Sequence, residues 1–118
     1  MTRLYALLLN GGSIDGRQLV SQKTVNTFTT IQGREIDAFY TLPSNWMLGG
    51  IEGNNELMPG FRLYGPGERT FGKGGGGGQT GFADPDEGLA VGFIRSQLTN
   101  DFTFVLQNRL VEALYSCV

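Results

Sequence analysis

Five consecutive glycines, Gly74 to Gly78, follow Lys73 within the stretch "TFGKGGGGGQTGFADPDEGLAVGF". Polyglycine is the costliest backbone to order, so no helix runs through this point. The run therefore separates two helical segments near the start of the chain from one near its end, with strands between. Three roles are open to it: a flexible surface loop, a phosphate cradle, or backbone laid close to a ligand where a Cβ would intrude.

The flanking segments fit this division. Thr2 is the expected cap of a first helix carrying Leu4, Tyr5, Leu8 and Leu9, and Asn10-Gly11-Gly12 is its stop. "SIDG" reads as a turn. Ser21 caps a second helix with Val25 and Phe28 on one side, and Thr29 and Thr30 end it early. Residues 31–45 read as irregular, with Pro43 opposing helix. "WMLGGI" and "FRLY" read as strands, with the polar "EGNNELMPG" between them, and "GPGE" is a turn. "QTGFA" and "LAVGFIRS" form an expected antiparallel hairpin around the turn "DPDEG". Asn100 or Asp101 caps a last helix whose expected apolar stripe is Phe102, Leu106, Leu110, Ala113 and Leu114, with Phe104 and Tyr115 as packing residues. The expected fold class is α+β, helices on a largely antiparallel sheet, in one domain over residues 1–118.

Composition removes several chemistries. With 118 residues, one cysteine and no histidine, the chain holds no internal disulfide and no Cys/His zinc site. Ser-His-Asp and Cys-His catalysis within these residues are likewise excluded. Cys117, at the last turn of the final helix, reads as chemically inert. A net charge of −2 without runs of like charge gives no footprint for nucleic acid. No apolar run reaches the length of a membrane span, and the first residues read as an amphipathic helix, not a signal peptide. No metal or cofactor is expected.

The glycine run fails as a phosphate loop. A Walker loop needs Ser or Thr after its Gly-Lys, and Gly74 follows Lys73. Gly72, Gly74 and Gly77 satisfy G-x-G-x-x-G, but that fingerprint must open a helix, and "QTGFADPDEG" is not one. Backbone close to a substrate, with Lys73 as a fixed cation at the head of a strand, has the shape of the K-T-G element beside serine acyl-transfer sites.

Here the sequence resembles the β-lactamase-related serine hydrolases, which include class C β-lactamases, DD-peptidases and related esterases. The block "FGKGGGGGQTGFADPDEGLAVGF" is similar to their third-motif region. "LYALLLNGGSIDGRQLVSQKTV" is similar to the helix and "NGG" segment before it, and "RLVEALYS" to their C-terminal helix. The likeness runs from about Arg3 to Tyr115 and implies the C-terminal part of a β-lactamase/transpeptidase-like fold.

The resemblance implies hydrolysis of a small-molecule ester or amide, β-lactams included, through an acyl-enzyme. It gives Lys73 the substrate's carboxylate, Gly75 the close approach, and the Gly76 N–H a place in the oxyanion hole. Lysine replaces the commoner histidine, and Gly74 lacks the frequent hydroxyl. The nucleophile motif S-x-x-K is met by none of Ser13, Ser21, Ser44, Ser96 and Ser116, and Y-x-N by none of Tyr5, Tyr40, Tyr64 and Tyr115. No catalytic nucleophile is therefore expected in this chain, which reads as a partial domain, inactive alone. Arg95 reads as a surface residue, and Asp84, Asp86 and Glu87 as turn chemistry. The alternative is a noncatalytic binding module that self-associates through an exposed sheet edge or docks on a partner.

Overall fold

The computed structural model describes residues 1–55, 62, 64–97 and 105–118. The elements run α1 (Thr2–Leu9), β1 (Ser13–Ile14), β2 (Arg17–Gln18), α2 (Gln22–Phe28), β3 (Glu52–Gly53), β4 (Phe71–Gly74), β5 (Thr80–Asp84), β6 (Leu89–Phe93) and α3 (Val105–Tyr115). Strands β3-β4-β5-β6 form an antiparallel sheet in that order, and β1-β2 a separate hairpin. The α+β class follows.

Helix α1 ends as the glycines dictate. The Gly12 N–H donates to Leu7 O and the Gly11 N–H to Leu8 O, with φ of +89° and +63°. This is a Schellman closure. Its start differs from expectation: Met1 is the N-cap, without a side-chain bond. Thr2 instead lies against the sheet, where a Cβ on Gly92 would fall 2.3 Å from its Oγ1. Asp15 and Gly16 both take positive φ, which closes β1-β2 as a two-residue hairpin. Ser21 caps α2 as expected, its oxygen accepting the Thr24 N–H at 3.0 Å.

Alternation along β4–β6 sorts the core into two faces. Phe71, Ala83 and Ala90 lie in register on one face and pack with Tyr5, Leu8 and Val25 of the first two helices. Gly81 and Gly92, paired on the same face, let α1 settle on the backbone. Phe82 faces the other way, fully buried with Tyr64 and Val111 of α3, and Val91 packs against them.

Two strand and helix expectations are corrected, and a third lies partly outside the described residues. "WMLGGI" is not a strand: Leu48–Gly50 is a single 3₁₀ turn with Gly49 and Gly50 at positive φ. Two adjacent left-handed residues break any ladder, so the strand forms two residues later, at Glu52–Gly53. In "FRLY", Phe61 and Leu63 lie outside the described residues, and Tyr64 sits in a turn. The stripe on α3 is rotated: Gln107 and Val111 are buried, while Leu106 and Leu110 stay 48% and 39% exposed. The caps Asn100 and Asp101, with Phe102 and Phe104, lie outside the described residues.

Candidate functional site

Lys73 does not head a strand. It is the third residue of β4, opposite Gly81 of β5. The glycines after it form the β4–β5 turn. The Gly75 N–H donates to Gln79 O at 2.9 Å, and the Gly78 N–H to Gly75 O at 2.8 Å. Gly78 alone among the five has positive φ, +82°. This pattern, a four-residue turn over Gly75–Gly78 whose last residue is left-handed, is a standard three-residue hairpin connection. Gly75 therefore closes the turn, and Gly76 sits at its exposed tip. The Gly76 N–H makes no hydrogen bond among the described residues.

A tyrosine fixes the backbone beside the lysine: the Gly74 N–H donates to the Tyr64 hydroxyl at 3.1 Å. Burial pushes the Tyr64 and Tyr5 phenols up from their ordinary range; Glu52 adds to the effect on Tyr64, and the Lys73 backbone offsets part of it on Tyr5. Both phenols are therefore neutral at neutral pH.

The ammonium group of Lys73 is enclosed by residues that sequence reasoning did not select. Its Nζ pairs with Glu52 Oε1. It lies 4.3 Å from the Trp46 ring centroid and 5.9 Å from that of Tyr40, within cation–π range. The Trp46 indole N–H donates to Asp37 Oδ2 at 2.9 Å, which fixes the ring under the ammonium. Asp37 Oδ1 accepts the Phe39 and Tyr40 N–H groups, both at 2.8 Å, and so shapes the loop that carries Tyr40. The Tyr40 N–H is the main cause that holds the Asp37 carboxyl below its usual range, with smaller help from Phe39, Trp46 and Lys73 against some desolvation. The lysine side chain keeps 37% exposure and Glu52 21%, so the pair opens to solvent at one side.

Of the other charged candidates, Arg95 borders the glycine turn and the rest lie elsewhere. Asp84 is fully buried and its Oδ1 accepts the Asp86 and Glu87 N–H groups, which makes it the organiser of the β5–β6 turn. Asp86 pairs with Arg69 at 2.6 Å on the surface. Arg95 is half-buried over the glycine turn, its Nη1 2.6 Å from where a Gly78 Cβ would stand. Cys117 is exposed just beyond α3. No group of His, Cys, Asp or Glu able to hold a metal occurs among the described residues.

A four-stranded antiparallel sheet thus carries helices on both faces, with a lysine displayed beside a glycine turn. The family model described as Beta-lactamase matches residues 1–115, and the chain belongs to that family. It is 32% identical over 101 residues to the Esterase/beta-lactamase LipL of Mycobacterium tuberculosis (strain ATCC 25618 / H37Rv), covering 83% of this chain and 21% of LipL. A penicillin-binding protein homolog from Caulobacter crescentus superposes with a TM-score of 0.81 at 30% identity. A family VIII carboxylesterase does so with a TM-score of 0.81 at 28% identity. Each superposition covers 99% of this chain and 30% of the other. The chain thus spans less than a third of the length of these relatives.

Proposed function

We propose that these residues form the third-motif wall of a serine hydrolase site that cleaves ester or amide bonds through an acyl-enzyme. Lys73 is the substrate-facing cation, Gly75 sets the turn that allows close approach, and the Gly76 N–H is an oxyanion donor. The observation that carries this reading is the Gly76 N–H. It is exposed at the turn tip and uncommitted among the described residues, next to a strand end held by the Tyr64 hydroxyl. A pre-positioned donor of this kind is worth about 3 kcal/mol to a developing oxyanion.

The nucleophile is not among these residues, since no serine here has a lysine three positions on. The 118-residue chain is therefore expected to show no turnover of a chromogenic ester or a chromogenic β-lactam. Turnover by the wild-type chain that is lost in Lys73→Ala would overturn this assignment, because it would require a nucleophile inside the chain.

A second reading rests on β6, which pairs only with β5 among the described residues, and on the exposed Leu106 and Leu110 of α3. An open edge and exposed apolar surface each favour self-association. Sedimentation of the purified chain should then depend on concentration, and a monomer throughout the micromolar range would exclude it.

A further inference from the structure

The basic residue of this wall is already neutralised from within. Among the described residues Lys73 carries the positive charge that faces Trp46 and Tyr40, while Arg95 stands over Gly78 in the turn, and two carboxylates act on the lysine: Glu52 in direct contact and Asp37, which accepts the Trp46 indole N–H. The ammonium is also spread over two ring faces, whose electron density satisfies part of its charge. An incoming carboxylate would have to displace Glu52 or share the cation with it, and Asp37 repels it as well. A neutral group faces no such competition. Tyr40, 53% exposed, lies 5.9 Å from the cation, and Phe39, 86% exposed, packs edge to face on Tyr40 at 5.0 Å. Exposed aromatic surface next to a balanced ion pair suits an uncharged, apolar ligand.

We infer that Glu52 is a specificity-determining residue, and that it sets this site to take neutral esters with an apolar or aromatic group in preference to carboxylate-bearing substrates. This rests on the assignment of Lys73 to the substrate wall. It departs from that assignment's simplest form, in which the lysine's charge is free to hold a substrate carboxylate.

The chain has one tryptophan, so its indole N–H gives one NMR signal, at the site itself. Benzylpenicillin and its methyl ester are a ligand pair that differs only in the charged group. Titrated against the wild-type chain, the methyl ester should shift the Trp46 signal at lower concentration than the free acid. In Glu52→Gln, which keeps size and removes one charge, the acid should bind about five-fold more tightly with the ester changed less than two-fold. Wild type that prefers the acid would overturn the inference while leaving the substrate wall in place, and this comparison needs no variant. Glu52→Gln that is folded yet leaves the acid-to-ester ratio unchanged would overturn it too. If neither ligand moves the signal in either protein, the assignment of the wall falls, and the inference with it.

Discussion

Tyr115→Phe removes a single oxygen and should cost about 2 kcal/mol of stability. The Tyr115 hydroxyl donates to Asp84 Oδ2 at 2.5 Å, and Asp84 is wholly buried at the end of β5. A hydrogen bond to a charged group contributes about 1.5–3 kcal/mol net, more when its loss strands a buried carboxylate. Asp84 keeps the Asp86 N–H at 2.9 Å and a long bond from Glu87 at 3.4 Å, which holds the loss to the middle of that range. Phenylalanine retains the ring that fills the space over Gly65, where a Cβ would fall 2.3 Å from Tyr115 Cε2. The effect thus isolates the bond that ties the end of α3 to the sheet. Urea denaturation at neutral pH measures it, and a loss below about 0.5 kcal/mol would refute the argument. Alkaline pH adds a second signature. Burial, then the bond to Asp84 and its charge, raise the Tyr115 pKa above the ordinary value of 10.0. The folded protein therefore keeps a proton that the unfolded chain releases. That contribution is complete below about pH 10 and is lost as pH rises beyond it. Tyr5 and Tyr64 shift in the same direction, so Tyr115→Phe should make the alkaline loss shallower without abolishing it.

Two further predictions concern glycines. Gly78→Ala should destabilise the chain by about 1–2 kcal/mol, since φ is +82° there, whereas Gly74→Ala should be neutral or stabilise by up to about 1 kcal/mol. The contrast arises because a Cβ on Gly74 meets no atom within 4 Å, and denaturant midpoints of the two variants check it. Gly81→Ala should cost about 1–3 kcal/mol by forcing α1 off the sheet, because its Cβ would stand 2.3 Å from Tyr5 Cε2. Loss of far-UV helical signal or a lowered midpoint would register it, and an unchanged midpoint would refute the packing argument.

Much of this chain was legible in order. The local rules are short-range, and several held: the Gly11-Gly12 stop, the Ser21 cap, and the β5–β6 hairpin around "DPDEG" all form, whereas the Thr2 cap does not. The absence of histidine and of S-x-x-K excluded whole mechanisms before any coordinates, because those statements need only residue identity. The glycine run did not reveal its own form, since a turn and a strand start share composition until strand pairing chooses between them. The stripe on α3 rotated for a related reason: periodicity finds an apolar face, but the partner elements decide which face is covered, here by Tyr64 and Phe82. The surroundings of Lys73 were beyond the sequence altogether. Asp37, Tyr40, Trp46 and Glu52 lie 21 to 36 positions before it, at no regular spacing, and only the closing of β3 onto β4 carries their loop to the ammonium. Composition and local chemistry thus excluded whole classes of reaction for these residues. Tertiary pairing decided what surrounds the lysine, because charge balance depends on distance through space, to which the order of residues is blind.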